Sequence, residues 1–405
     1  MSGLRLAVVS RRFWPHADEP ELWLGDLVGA MRELGARPTV VTAQWKSNWP
    51  TQAVYREVPL VRVPHTSPGG WGTLLYMRRL ARWLREHRDQ FDAVLVSRLR
   101  LDAYAAIGAL GSSGLPIVVR AEGAGEMGDA AWLGSSTFGG RIRRRVFAAS
   151  AIAVGSDVVR NELLELGAPE SRVRCLPAGA APPNHSWDAP NETEAHDASA
   201  VRRNRKQAAR QSVSEACSDL LTNHDDPVFL YVGRLHRANN LTTLLRAWQH
   251  VAQRWPRAWL WFVGDGPERS MLFQRVKEAG LRQQTFMPGS FDDVDDFFEA
   301  ADVLLCPARA ADASPTIRRA LAAGLPILAS DVAGHRELLS DGGGELVSTR
   351  DAAAWAEAML RLADNVALRA DYSAAACIAA SEFTLDRSAE QHLALFESLL
   401  KSPLP

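Results

Sequence analysis

The sequence predicts an α/β protein of two domains, each built on a largely parallel sheet covered by helices. Three observations carry that prediction. Short apolar runs alternate with amphipathic stretches through residues 4–176, and the alternation restarts at residue 228. A polar, proline-bearing stretch separates the two series. At 405 residues the chain is long for a single hydrophobic core and ordinary for two. Its hydrophobic fraction of 47% and charged fraction of 23% are those of a globular protein in water. No apolar run approaches the roughly 18 residues of a membrane span, and the first apolar run has neither the length nor the cleavage site of a secretory signal. A cytoplasmic protein is therefore expected.

In the first series, Leu4–Ser10 is an apolar run that ends in a turn-like stretch, Pro15–Pro20. Leu24, Leu27, Val28 and Met31 then recur at helical spacing. Pro38–Thr42 and Leu60–Val63 read as the next strands, and an arginine-rich helix is expected from Leu74 to His87. Ala93–Val96, Pro116–Arg120, Ala151–Val154 and Val173–Leu176 complete the strand set. Strand and helix alternating at this pitch argue for a parallel sheet buried on both faces. Residues 181–226 break the pattern. The part up to 197 has little to bury and reads as a linker, and Ala198–Leu221 has helix-forming composition.

The second series opens at Val228–Val232. Leu241, Leu244, Leu245, Trp248 and Val251 share one helix face. Trp259–Val263 is a strand that runs into Gly264-Asp265-Gly266-Pro267, and another lies near Thr285–Met287. Val294, Phe297, Phe298 and Ala301 again have helical spacing. Val303–Cys306 and Pro326–Ala329 are short buried strands, and a final helix spans Leu385–Leu400. The expected domains are 1–180, a linker and helix at 181–226, a second domain at 227–382, and a tail at 383–405 that packs back toward the first domain.

Charge is uneven. Residues 1–180 hold 23 Lys and Arg against 17 Asp and Glu, and the remainder holds 23 against 30. The asymmetry fits two bodies with different partners, and equally a chance distribution of surface charge. The four cysteines are scattered with no metal-ligand spacing, as expected of reduced thiols. The histidines form no HxxxH or HxH set, so a metal site is not expected. A dinucleotide-dependent oxidoreductase would need G-x-G-x-x-G directly after a first strand, and neither domain supplies it.

Several motifs of the second series occur in a recognisable order: Tyr231-Val232-Gly233-Arg234-Leu235, Ala247-Trp248, Val263-Gly264-Asp265-Gly266-Pro267, Ala300-Ala301-Asp302-Val303 before Pro307, Ala320–Asp331, and Gly334-His335-Arg336-Glu337. In this order they resemble the C-terminal domain of glycosyltransferase family 4, the group 1 glycosyl transferases. In the first series, Val118–Asp129, with Gly123, Gly125 and Gly128, is similar to a glycine-rich loop of some bacterial members. The resemblance implies a GT-B fold, in which two Rossmann-like domains with parallel sheets face an interdomain cleft. It also implies transfer of a sugar from a nucleotide diphosphate sugar to a glycan or lipid-linked hydroxyl, with retained configuration, no metal and no cofactor.

The resemblance assigns residues as well. Arg234 is expected to clamp the departing diphosphate, which carries negative charge as it leaves. Ser314 is a candidate N-cap with Pro315 at the first helical position, so N–H groups near Thr316 are expected to face the same anion. Asp312 is the nearest match to the glutamate that orients the donor sugar, and Arg319 stands where the ribose-binding glutamate belongs. Arg318 and Arg319 are alternative phosphate ligands. Gly233, Asn239, Gly264, Asp265 and Glu337 complete the expected donor side. Arg120 and Glu122, with Asp129, are expected either to meet the acceptor and the reacting oxygen or to stand in water on a flexible loop.

The sequence departs from the family in three places. A lysine five residues after the arginine, followed by glycine, is replaced by Asn239 and Asn240, with Arg237 as a possible substitute cation. The second glutamate is Arg319, which cannot accept from a ribose diol. The Gly-Gly loop after the first strand is Asp18-Glu19-Pro20-Glu21, which is expected to crowd the donor. A non-catalytic relative acting as a sugar- or nucleotide-binding scaffold therefore stands as the alternative. Arg78, Arg79, Arg82 and Arg85 beside Trp83, and the run Arg141, Arg143, Arg144 and Arg145, suit peripheral attachment to an anionic membrane as well as a solvated face. No nucleic-acid partner is expected.

Overall fold

The computed structural model describes residues 3–15, 19–65, 70–180, 198–217, 226–291, 293–309 and 314–401. The chain divides into two units, one of residues 1–179 with 385–405 and the other of residues 180–384.

The first unit holds eight strands: β1 (Arg5–Val9), β2 (Arg37–Gln44), β3 (Gln52–Tyr55), β4 (Val58–Pro64), β5 (Ala93–Ser97), β6 (Ile117–Arg120), β7 (Ala151–Val154) and β8 (Val173–Cys175). Their order is β3-β4-β2-β1-β5-β6-β7-β8, and every pairing is parallel except β3 with β4. The sheet is buried on both faces, which is why its strands read as continuous apolar runs. Alternate residues of β1 point opposite ways. Ala7 and Val9 pack with Tyr76, Leu80 and Leu84, whereas Leu6 and Val8 pack with Leu24, Leu27 and Phe396. Phe396 lies on the helix Leu385–Lys401, which belongs to this unit and donates from Ser388 Oγ to the Pro177 carbonyl at 2.9 Å.

The hairpin strand β3 has no counterpart in the sequence-based expectation. It joins β4 through Arg56 and Glu57, both left-handed (φ 46° and 62°). Such a two-residue turn usually announces itself by Asn-Gly or Asp-Gly, and this one does not.

The second unit holds β9 (Val228–Val232), β10 (Trp259–Val263), β11 (Thr285–Gly289), β12 (Val303–Cys306), β13 (Ile327–Ser330) and β14 (Gly344–Val347), in the order β11-β10-β9-β12-β13-β14, all parallel. Phe229 and Phe262 pack one way with Trp248 and Trp355, and Leu230 and Trp261 pack the other way with Phe297, Phe298 and Ile317. The strand order reverses between β9 and β12, so the loops after those strands diverge around a crevice at the carboxyl edge. In the first unit the same reversal falls between β1 and β5.

The helix Ala198–Ala216, expected to accompany a linker, is part of the second unit. Lys206 and Arg210 both pair with Asp302, and Arg210 Nη2 also donates to the Asp226 carbonyl at 2.9 Å. The polar stretch before it lies outside the described residues.

Candidate functional site

The two carboxyl edges carry the residues that the sequence singles out. In the second unit, the loops after β9 and β10 brace each other. The Gly233 N–H donates to the Val263 carbonyl (3.0 Å), the Leu235 N–H to the Asp265 carbonyl (2.9 Å) and the Gly264 N–H to the Gly289 carbonyl (2.7 Å). Gly233 and Gly264 have φ of 144° and 139°. A Cβ on Gly264 would stand 2.0 Å from the Gly233 oxygen, and one on Gly266 would stand 2.3 Å from the Leu235 oxygen. These glycines are required because two loops must touch, a cause independent of any ligand.

Arg234 projects from this braced turn and is exposed. Its carbonyl accepts from Tyr231 Oη at 2.9 Å and from Asn239 Nδ2 at 2.7 Å, and Asn239 also donates to Tyr231 Oη at 3.0 Å. Asn239 therefore faces inward and fixes the loop. Asn240 adopts the left-handed conformation (φ 56°), which asparagine tolerates better than most non-glycine residues. That accounts for asparagine where the family carries glycine. Its side chain is buried, donating to the Thr349 carbonyl and accepting from Thr243 Oγ1 at 2.8 Å. Asp265 is exposed, accepts from the Gly266 N–H at 2.7 Å and pairs with Arg269 at 3.4 Å.

The helix after β12 spans Pro315–Ala322, with Pro315 at its start and Ser314 at the N-cap position. The Ser314 carbonyl accepts from the Arg318 N–H at 3.2 Å, but its side chain makes no capping bond. Thr316 is buried in the first turn, where a helix presents N–H groups without intrahelical acceptors. Asp312 lies outside the described residues.

Two expectations for this helix require correction. Arg319 Nε is 2.8 Å from Asp295 Oδ1, so its guanidinium is held by the helix Asp295–Ala300 and is not presented to a ribose or phosphate. Arg318 is 2% exposed and lies 4.9 Å from the Phe383 ring, inside the unit. Glu337 stands on the exposed side of the helix Ala333–Leu338. Beside it His335 is buried, and its Nδ1 donates to the Ser330 carbonyl at 2.9 Å. Burial lowers the His335 pKa to about 4, so the ring is neutral at pH 7.

In the first unit the corresponding edge is charged but closed. Arg120, at the end of β6, is 2% exposed. It donates from Nε to Glu122 Oε1 at 2.5 Å, and its guanidinium lies 3.9 Å from the Trp23 ring centroid. Its Nη1 is 3.3 Å from His392 Nε2. His392 Nδ1 donates to the Ser388 carbonyl at 2.7 Å, which fixes the neutral tautomer with Nε2 as acceptor. Burial and the neighbouring Arg120 charge lower the His392 pKa to about 3. Asp129 is 1% exposed and accepts from the N–H groups of Leu99 (2.8 Å) and Glu122 (3.1 Å) and from Arg100 Nε (2.7 Å). The glycine-rich loop is thus tied down, and the guanidinium of Arg120, expected to reach an acceptor, is an interior group that positions Glu122. Glu19 and Pro20 begin the helix Glu19–Glu33, and Glu21 accepts from Arg98 Nε at 3.1 Å. Asp18 lies outside the described residues.

A second buried group at this edge escaped the sequence. Arg11 Nη2 donates to Thr73 Oγ1 (2.8 Å) beside His65, and the guanidinium lies 5.4 Å from both the Trp45 and the Tyr76 rings. Asp102 is buried nearby, and desolvation raises its pKa to about 6. These residues come from five separate segments of the chain, and no spacing in the sequence links them.

Two mostly parallel sheets of this topology define a protein of the GT-B class. In structure the chain is similar to sucrose-phosphate synthase of Thermosynechococcus elongatus, with TM-score 0.75 and 17% identity over 98% of this chain and 99% of that one. It is likewise similar to Anabaena Alr3699/HepE in complex with UDP and glucose, with TM-score 0.71 and 15% identity over 98% and 99%. In sequence, the glycosyltransferase family 4 model matches residues 21–182 and the model of glycosyl transferases group 1 matches residues 214–377. The chain belongs to glycosyltransferase family 4. It is 30% identical over 167 residues to a lipopolysaccharide core biosynthesis glycosyltransferase, LpsD, of Rhizobium meliloti, which is 41% of this chain and 48% of that protein. The chain spans about half the length of the curated relatives it matches.

Proposed function

We propose that this protein transfers a sugar from a nucleotide diphosphate sugar to a hydroxyl of a glycan or lipid-linked acceptor, with retained configuration and without a metal ion. The observation that carries the reading is Arg234. It stands exposed on a braced loop at the point where the strand order of the second unit reverses, next to the loop that leads into the helix Pro315–Ala322. An arginine can hold two phosphate oxygens at once, and the start of that helix favours the same anion. In the proposed reaction the acceptor oxygen bonds to the anomeric carbon from the face that the phosphate vacates. The bond from that carbon to the phosphate oxygen breaks, and the hydroxyl proton passes to the departing diphosphate. Arg234 stabilises the charge on that diphosphate. The family membership and the UDP and glucose bound by the Anabaena protein support a nucleotide-sugar donor. Nothing in the fold or the comparisons favours the non-catalytic alternative.

The reading includes peripheral contact with the inner face of an anionic membrane through the first unit. The helix Gly70–Glu86 turns Trp71 (85% exposed), Leu74 and Leu75 outward, and Arg78, Arg82 and Arg85 continue the same exposed stripe. Apolar and basic groups on one face suit an anionic lipid surface. Trp83, the aromatic expected from the sequence, is instead half-buried and stacked on His87 at 4.2 Å. Flotation with phosphatidylglycerol vesicles is expected to carry wild type and to lose most of the Trp71→Ala variant.

The donor is tested by thermal shift with UDP-, GDP- and ADP-sugars. A ligand that binds only the native state raises the melting temperature by mass action. One of the three is expected to stabilise the protein and to be hydrolysed slowly by it. Stabilisation by none at millimolar concentration contradicts the proposal, and stabilisation without any turnover in the presence of cell-derived glycan and lipid acceptors supports the scaffold alternative instead. No helix among the described residues is long and apolar enough to cross a membrane.

A further inference from the structure

We infer that Arg309 supplies the second cation of the donor diphosphate site. This inference rests on the donor reading above and assigns a further residue to it. A departing diphosphate carries more negative charge than one guanidinium neutralises, so a second cation is needed within hydrogen-bonding reach. Residue 239 cannot supply it, because the Asn239 amide is directed to the Arg234 carbonyl and Tyr231 Oη.

Four other arginines of this unit are committed. Arg319 pairs with Asp295, Arg269 with Asp265 and Arg336 with Asp331, while Arg318 is buried against Phe383. Arg309 differs from all of them. It is exposed on the loop after β12, on the far side of the strand-order reversal from Arg234. Its own N–H donates to the Ala238 carbonyl at 3.0 Å, which ties the two loops that flank the crevice. Its Nε lies 3.5 Å from Asn240 Oδ1, and among the described residues no carboxylate pairs with it. A neutral amide at Nε orients the guanidinium without cancelling its charge, and the Nη groups keep their donors for a ligand.

The two asparagines thus act together. Asn239 fastens the stretch that bears Arg234, and Asn240, anchored on the Thr349 carbonyl and Thr243, steadies Arg309. The short turn between them holds one arginine on each side of it. A cation that the sequence lacks at position 239 is replaced from the neighbouring loop, 70 residues further along the chain.

The test is calorimetric titration of the intact chain with inorganic pyrophosphate and with UDP, GDP and ADP, on wild type, Arg309→Gln and Arg309→Lys. Arg309→Gln is expected to weaken pyrophosphate and the preferred nucleoside diphosphate about tenfold or more, the value of one charge-assisted hydrogen bond. Its unfolding midpoint is expected to match wild type, because the side chain is exposed. Arg309→Lys keeps the charge and is expected to recover most of the loss. Unchanged affinity in Arg309→Gln overturns the inference while leaving the donor site intact. Equal losses in Gln and Lys variants also overturn it, since they mark a bracing role and not a charge. Failure of wild type to bind any of the four probes overturns the donor reading itself, and this inference with it.

Discussion

The carboxyl edges of the two sheets both carry arginines, and Arg120 in one is held differently from Arg234 and Arg309 in the other. In the first unit, Arg120 and Glu122 are interior groups that answer each other, with Trp23 and His392 packed around them. In the second, Arg234 and Arg309 are exposed, the Arg234 carbonyl accepts from Tyr231 and Asn239, and Arg309 Nε meets the neutral Asn240 amide. A buried guanidinium with a carboxylate partner fixes a loop, because leaving its charge unpaired is costly. An exposed guanidinium held by neutral groups keeps its charge available to an anion. Residue type and loop position alone do not separate the two cases.

The comparison breaks most visibly at Arg120. Removing one partner of a buried ion pair typically costs about 3–5 kcal/mol, so Arg120→Ala is expected to lower the unfolding midpoint of the first unit steeply. Arg234→Ala is expected to stay within about 0.5 kcal/mol of wild type, as exposed positions usually do. Urea melts of both variants, followed by a probe in each unit, check the contrast. Equal effects remove it.

Next in size is Gly264→Ala. The new Cβ would meet the Gly233 oxygen, and φ lies in the left-handed region. A loss of about 2 kcal/mol or more is expected. The brace between the two loops should loosen with it, so nucleotide affinity should fall even in molecules that remain folded. A melting curve with and without ligand measures both.

A smaller effect concerns pH. His335 in one unit and His392 in the other have folded pKa values depressed to about 4 and about 3. Below about pH 6.5 the unfolded chain takes up protons that the folded chain refuses. The stability that each histidine contributes is therefore present above that pH and lost as pH falls toward the folded values, by about 1–2 kcal/mol each at pH 5. Asp102, raised to about 6, runs the other way: its contribution is held at low pH and lost as pH rises through 6. With two groups against one, the melting temperature is expected to drop from pH 7 to pH 5. His335→Asn, which keeps a donor for the Ser330 carbonyl, is expected to flatten the drop. An equally steep profile in the variant assigns the pH dependence elsewhere.

Most strands were legible because burial on both sheet faces writes itself as apolar runs. Those of 93–96, 151–154 and 228–232 fall within a residue of the observed elements. The hairpin strand β3 was not legible, since its turn uses Arg56 and Glu57 where glycine or asparagine is the usual signal. Site residues read less well for a different reason. Arg120, Arg234 and Arg319 are the same residue type at a strand end, in a loop and in a helix. Arg120 is buried against Glu122, Arg319 is held by Asp295 and Arg234 is exposed, and only tertiary structure supplies those surroundings. Asn240 and Arg309 were invisible as a pair because the contact joins two loops far apart in sequence. The asparagines read as losses relative to the family, and the structure gives each a task.

The central claim is that Arg234 and the start of the helix Pro315–Ala322 form one anion site. Its most direct measurement is the dissociation constant of the stabilising nucleotide sugar, by calorimetry, for wild type and Arg234→Ala. The expected result is at least about tenfold weaker binding in the variant, with an unfolding midpoint equal to that of wild type. Binding of equal strength in the two proteins contradicts the claim.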